Sequence, residues 1–251
     1  MTYQITPRQV ILLTSIIEEY IQTAEPVSSK LLEKSGFFGL KSATIRAEMN
    51  DLEERGYLTH LYTSSGRVPT DRGYRYYVDN LVSVKRKAKS EKNRKEIKNA
   101  IAAAGYDPRQ INKNVAQILS ELSGNLVITG VLEEDDFFKV GLSSLFEMPE
   151  FREFNKTFQL TSFFDEFEDL FAKLEEDFFG GSPADEPKVF IGRENPARGI
   201  RDETVMFAKY NLPRNYTGSM TMVGPTRMDY QKNIGLVRYT TDELNKLAKR
   251  T

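Results

Sequence analysis

The sequence predicts an α+β protein of two domains, and three observations carry that prediction. Residues 42–56 have the spacing of a capped amphipathic helix, and a small hairpin comes directly after it through residues 58–69. A run rich in lysine and arginine then separates this front half from the rest of the chain. Behind it, β-branched segments near 126–132, 188–192, 204–212 and 218–223 are interleaved with apolar-faced helical stretches, the order of an α+β domain with a mainly antiparallel sheet.

The front half reads as a winged helix-turn-helix. Thr6 caps the first helix, Pro7 takes its first position and Gln9 completes a capping box, with Ile5 and Val10 placed for a hydrophobic staple. Val10, Leu13, Ile17 and Tyr20, with Ile16 and Ile21 beside them, form its apolar face, and the helix stops before Glu25-Pro26. A second helix over about Ser29–Ser35 buries Leu31 and Leu32 and ends at Gly36. Phe37-Phe38-Gly39-Leu40 connects it to the third, with both rings expected in the core. Ser42 is the expected N-cap of that third helix, Ile45, Met49 and Leu52 its inward face, and Gly56 its end. Leu58 to Tyr62 forms one strand, Ser64-Ser65-Gly66 the turn, and Val68-Pro69 the return. Thr70-Asp71 caps a fourth helix with Tyr74, Tyr77, Val78, Leu81 and Val82 on its apolar side.

The outward face of the third helix carries Ala43, Ala47, Asn50 and Glu54, flanked by Thr44 and Arg46. Small residues allow a backbone to approach a groove of double-stranded DNA, and Arg46 and Asn50 can hydrogen-bond base edges. Lys41 and Thr44 are expected on the phosphates, and Ser42 belongs to the same candidate DNA-binding set. Ser29 and Lys30 are expected where the preceding helix meets the DNA backbone. The wing offers Ser64, Ser65 and Arg67, the last placed at the hairpin tip for a minor-groove or phosphate contact.

Composition excludes much else. With no cysteine and one histidine, His60, there is no disulfide, thiolate zinc site or cysteine nucleophile, and little material for histidine chemistry. No glycine-rich phosphate loop, nucleophile elbow or metal-spacing histidine pair occurs, and Asp135-Asp136 and Glu175-Glu176-Asp177 read as solvated acids. A non-enzyme without cofactor or metal is expected. No apolar run approaches the roughly 20 residues of a membrane span and no signal-peptide core is present, so a cytoplasmic setting away from membranes is expected. Net charge is −1, but residues 1–110 sum to +5 and residues 111–251 to −6, a division that suits a nucleic-acid reader joined to a regulatory domain.

The expected boundaries are therefore 1–83 for the winged helix, 84–107 for a basic helical linker, and 108–251 for the second domain. In the linker, Lys87–Glu91, Glu91–Lys95 and Lys92–Glu96 are i,i+4 pairs. Gly105-Tyr106-Asp107-Pro108 opens the second domain, and Ile111, Val115, Ile118, Leu119 and Leu122 form a helical face ending at Gly124. A second strand is expected at Phe137–Leu142. Phe154–Phe179 reads as a helix burying Phe158, Phe163, Phe167, Leu170, Phe171 and Leu174, followed by a loop at Gly180–Pro183. Arg227–Lys249 reads as helical, with a break near Tyr239-Thr240.

Several separated blocks resemble the HrcA family of bacterial heat-inducible transcription repressors. They are E-P-V-S-S-K (Glu25–Lys30), S-A-T-I-R (Ser42–Arg46), L-E-E-R-G-Y-L (Leu52–Leu58) and T-S-S-G-R-V-P-T-D-R-G-Y-R (Thr63–Arg75). In the second domain M-P-E-F (Met148–Phe151), I-G-R-E-N (Ile191–Asn195) and G-P-T-R-M-D-Y (Gly224–Tyr230) are similar to later family signatures. The resemblance implies a winged helix followed by a GAF-like α+β domain, with a third, inserted domain that helps dimerisation. It also implies a homodimeric repressor on an inverted-repeat operator upstream of chaperone genes, maintained in its active form by a GroE-type chaperonin. The rival reading makes the GAF-like domain a small-molecule sensor, against which the phenylalanine-rich helix predicts a filled core.

The chain departs from that pattern in three places. It is short, and Val131–Val140 leaves little room for the inserted domain. Ala47-Glu48 stands where the family has Asn-Asp, and Leu61-Tyr62 where it has Pro-His before the wing turn.

Overall fold

Capping chemistry sets the start of most helices in the computed structural model, which describes residues 5–36, 39–61, 66–83, 90–134, 136–151, 186–195 and 198–250. Expectations for Phe37-Phe38, Ser64-Ser65, Lys87, Asp135 and the 154–183 stretch lie outside the described residues. The chain divides into two compact units, Met1–Lys85 with Thr226–Asp229, and Arg86–Pro225 with Tyr230–Thr251.

In the first unit, helix α1 spans Pro7–Thr23. The Thr6 hydroxyl accepts from the Gln9 amide at 3.2 Å, and the Gln9 side chain accepts from the Thr6 amide at 2.9 Å, the reciprocal capping box expected. Its buried face is Leu12, Leu13, Ile16 and Ile17; Val10, Tyr20 and Ile21 are only half-buried, so the face is turned from the one expected. Helix α2 is the single stretch Ser29–Lys34, capped by Ser28. Leu32 is buried but Leu31 is 43% exposed, a correction with a simple cause: adjacent residues lie about 100° apart around a helix, and so short a helix has one packed side.

Helix α3, Ser42–Glu54, buries Ile45, Met49 and Leu52 as expected. Ser42 is not its cap. Lys41 holds that position without a side-chain bond, and Ser42 is the first helical residue, its amide donating to a Glu33 carboxylate oxygen at 3.1 Å. A carboxylate against a helix N-terminus replaces the missing serine cap. Strands β1 (Leu58–Thr59) and β2 (Val68–Pro69) pair antiparallel, Leu58 opposite Pro69 and Thr59 opposite Val68. Helix α4, Asp71–Ser83, begins after Thr70, whose hydroxyl accepts from the Gly73 amide at 3.1 Å and donates to the Gly56 carbonyl at 2.6 Å. Tyr74, Tyr77 and Val78 are buried.

The second unit starts earlier than the linker expectation allowed. Helix α5, Glu91–Ala103, is capped by Ser90 and buries Ile97 and Ile101, so this part of the 84–107 stretch is packed structure. Its charged side does carry the Lys92–Glu96 pair, at 3.9 Å. Helix α6, Pro108–Ser123, is capped by Asp107 and closed by Gly124 in the left-handed region. Strands β3 (Leu126–Val131), β4 (Asp136–Val140), β5 (Lys188–Ile191), β6 (Glu203–Asn211) and β7 (Thr217–Pro225) form an antiparallel sheet in the order β4-β3-β7-β6-β5. Helix α7 spans Leu142–Glu147. Helix α8, Tyr230–Ala248, runs without the expected break at Tyr239-Thr240, and the Thr240 hydroxyl donates to the Leu236 carbonyl at 2.8 Å within it.

Strand alternation splits the sheet's contents cleanly. Leu126, Ile128, Val205, Phe207 and Val223 join Leu145, Phe151 and Ile200 in one apolar cluster. On the opposite face Thr129 donates to the Asn112 carbonyl of α6 at 2.9 Å, and Tyr210 donates to the Asn112 side chain. Burial pushes the Tyr210 hydroxyl far above its ordinary pKa, so it stays a neutral donor there.

Gly73 supplies a direct test of the first unit's packing, since a Cβ there would lie 2.3 Å from the Tyr57 carbonyl oxygen. Gly73→Ala is expected to cost about 1–3 kcal/mol by forced displacement, read as a lowered urea midpoint by circular dichroism.

Candidate nucleic-acid interface

Burying Ile45, Met49 and Leu52 turns the other side of α3 outward by helical geometry alone. Ala43, Thr44, Arg46, Ala47, Asn50 and Glu54 are all exposed. Lys30 on α2 is exposed as well, and Lys41 sits just before α3 with its side chain 85% exposed, 3.6 Å from Glu33. Small residues, one guanidinium, one amide and a hydroxyl thus share a face that also presents the positive end of the α3 dipole. Glu54 is the exposed acid at its far end. The remaining acids of α3 each have a cationic partner: Glu48 pairs with Arg8 of α1, Asp51 with Arg55 at 3.0 Å, and Glu53 with Arg67 at 2.7 Å. Hydrogen bonding from Arg55, then from Gln9, holds the Asp51 carboxyl below the usual carboxylate range.

Three of the sequence-derived site residues stand elsewhere than expected. Ser29 is buried, its hydroxyl 2.8 Å from that of Ser42, and Ser42 is half-buried; the pair joins the first residues of α2 and α3 and offers no outward hydroxyl. Arg67 is not at the hairpin tip. It lies immediately before β2, and its backbone exchanges two hydrogen bonds with Val27, at 2.8 and 2.9 Å. Its guanidinium turns back onto α3, with Nε 2.7 Å from Glu53 and Nη2 donating to Asn50 Oδ1 at 3.0 Å. The side chain is 19% exposed. The cause is backbone geometry: Gly66 lets the strand approach so closely that a Cβ there would lie 2.5 Å from the Val27 carbonyl oxygen.

Two participants escaped the sequence reading. Glu53 is shared between Arg67 and His60, whose Nδ1 faces its other oxygen. The signal was faint, an acid on the half-buried flank of α3 with its partners supplied by the wing.

Residues of the later motifs make internal hydrogen bonds. Asn195, 1% exposed, donates through one amide nitrogen to the carbonyls of Gly192, Ile200 and Glu203 at 2.8–2.9 Å. Glu194 accepts from the Ile191 amide at 2.9 Å. Gly224-Pro225 ends β7, and fully buried Tyr230 shares a 2.8 Å hydroxyl contact with Thr204 of β6. Asp136, one of the acids read as solvated, pairs with Arg109 at 2.7 Å.

A family model described as the HrcA protein C terminal domain matches residues 42–234, more than half of the chain. The chain belongs to the HrcA family. Curated relatives agree: the heat-inducible transcription repressor HrcA of Clostridium tetani is 25% identical over 96% of this chain and 95% of its own length. That of Oceanobacillus iheyensis is 26% identical over 98% of each. The first of these alignments runs over 342 positions against a chain of 251 residues, so more than a quarter of its positions are gaps in this HrcA sequence. A crystal structure of a hypothetical protein shares the fold, with a TM-score of 0.81 at 18% identity, covering 98% of this chain and 99% of its own. No described helix is long and apolar enough to cross a membrane.

The Ser29–Ser42 bond gives the prediction for this surface. Ser29→Ala and Ser42→Ala are each expected to cost about 1 kcal/mol of stability, and the double variant no more than the larger single loss. Urea unfolding of the three variants measures the coupling; additive losses would show that the two hydroxyls act separately.

Proposed function

We propose that this HrcA-family chain represses heat-shock genes by binding an inverted-repeat operator in double-stranded DNA, with α3 in the major groove. The observation that carries the reading is the exposed face of α3, where Thr44, Arg46, Ala47 and Asn50 stand together while the acids at 48 and 51 are drawn off toward other partners. The names of the relatives, heat-inducible transcription repressors, supply the regulatory sense.

In this proposal Arg46 and Asn50 reach base edges, Ala47 permits close approach, and Thr44, Lys41 and Lys30 contact phosphates. Ser64 and Ser65 are the wing's contacts. Ser29 and Ser42 set the angle between α2 and α3, and Arg67 acts through α3. The reader works as a homodimer in the cytoplasm, with two copies of α3 about one DNA turn, roughly 34–36 Å, or a small multiple of it apart, which accounts for an operator with two-fold symmetry. A GroE-type chaperonin maintains the active form, so that repression lifts when misfolded protein occupies the chaperonin. The protein has no catalytic role and requires no cofactor.

Binding of the purified chain to an inverted repeat from its own chaperone promoter, beside a duplex with one half-site scrambled, tests this reading. Tight, salt-dependent binding lost on scrambling is expected; equal affinity for both duplexes would contradict it. Arg46→Ala is expected to cost about 1–3 kcal/mol on the operator. Lys41→Ala is expected to weaken all duplexes alike and to reduce the salt slope by about 1.

A further inference from the structure

We propose that Arg67 is a specificity-determining positioning residue, fixing the Asn50 amide with its nitrogen outward so that α3 selects guanine at the base pair Asn50 meets. The inference rests on the reading that α3 enters the major groove.

Donor and acceptor chemistry fixes the orientation. A guanidinium carries only donors, so the Asn50 atom 3.0 Å from Arg67 Nη2 is the amide oxygen, and the assignment of oxygen and nitrogen in this side chain follows from its partner. The two amide atoms lie on opposite sides of the same carbon. With Oδ1 drawn toward Arg67, the proposal places Nδ2 toward the groove on the exposed side of α3, where Asn50 lies.

An unrestrained asparagine reads adenine through both amide atoms, accepting from N6 and donating to N7. Here one of the two lone pairs of Oδ1 is taken by a charge-assisted bond, one of the stronger kinds of hydrogen bond, and that bond holds the oxygen on the wing side. In the proposed orientation the atom turned to the groove is Nδ2, a donor with two hydrogens. Cytosine offers a donor in the major groove and is refused; thymine offers one acceptor, and adenine one, N7, beside a donor; guanine alone offers adjacent acceptors, O6 and N7.

Arg67 is itself placed by three contacts: a backbone bridge, an ion pair and a hydrogen bond. Its backbone is bridged to Val27, its Nε meets Glu53 at 2.7 Å, and its Nη2 meets Asn50. Glu53 and Asn50 are one turn apart on α3, and the planar fork of an arginine spans both at once. A lysine ammonium in its place keeps the charge against Glu53 and lacks the fork.

The test starts with wild-type protein enriching duplexes from a randomised pool, followed by single base-pair variants of the winning duplex bound to wild type, Asn50→Ala and Arg67→Lys. Expected is one G·C pair per half-site whose exchange for A·T costs on the order of tenfold in affinity, with that discrimination abolished by Asn50→Ala. Arg67→Lys is expected to remove most of the same discrimination while the Arg46-dependent position still discriminates. The inference is overturned if the Asn50-dependent pair proves to be adenine-selective, a result read on the wild-type and Asn50→Ala proteins alone. It is equally overturned if Arg67→Lys keeps the discrimination or weakens every duplex alike, as a charge or scaffold role requires. Enrichment of no symmetric sequence by the wild-type protein would instead remove the operator reading on which the inference stands.

Discussion

Two backbone hydrogen bonds between Val27 and Arg67 are the constraint on which the first unit's outward surface depends. They tie the connection between α1 and α2 to the wing strand, segments 40 residues apart in the chain. The approach they require excludes a Cβ at Gly66. Once the backbone of Arg67 is fixed there, its side chain reaches α3, and helix, wing and inter-helix connection become one assembly through a single residue. The sequence blocks that point to the family acquire a physical meaning from this arrangement. In E-P-V-S-S-K, Val27 makes the bridge, Ser28 caps α2 and Ser29 binds Ser42. In G-R-V-P-T-D-R-G-Y, Gly66 admits the bridge, Thr70 caps α4, and Gly73 lies against the Tyr57 carbonyl. Most of these residues hold the reading surface in place without belonging to it.

The second unit follows the same logic with different groups. Asn195 gathers three backbone carbonyls around the loop between β5 and β6 with its side-chain amide, and an unpaired buried carbonyl is costly. Tyr230 joins the start of α8 to β6 through Thr204, and Asn112 joins α6 to the sheet through Thr129 and Tyr210. A polar residue at each junction gives the helices one fitting position on the sheet, which apolar contacts alone specify less sharply.

What the sequence disclosed was whatever local chemistry decides. Thr6, Pro7 and Gln9 start α1, and Asp107 and Gly124 bound α6, because each device involves residues within one turn of the other. Strand positions followed from β-branched runs, and the inward face of α3 from its spacing. The failures share an opposite cause. Ser42 has the right chemistry for a cap, but Glu33 supplies the N-terminal interaction and Ser29 takes the hydroxyl. Arg67 reads as a hairpin-tip residue when strand lengths are judged locally, whereas its pairing partner, Val27, lies on the far side of two helices. Helix α5 was hidden by its own charges: eight of the residues from 85 to 98 are basic, and the apolar pair Ile97 and Ile101, spaced i,i+4 and both buried, was outweighed by them.

The departures from the family's pattern bear on the same surface. Glu48 stands where HrcA relatives are expected to carry aspartate, and its longer side chain reaches back to Arg8, which removes an acid from the outward face of α3. Ala47 removes a polar side chain from the middle turn of that face. On the proposed reading, base selection along α3 then falls to Arg46 and Asn50, and one of those two is oriented by a residue outside the helix. A reader with fewer contacts draws a larger share of its discrimination from each, so the orientation of a single amide weighs more here than in a relative with asparagine at position 47. The wing thereby gains influence over sequence choice without touching a base, because displacing it would release Arg67 and return both amide atoms of Asn50 to the groove.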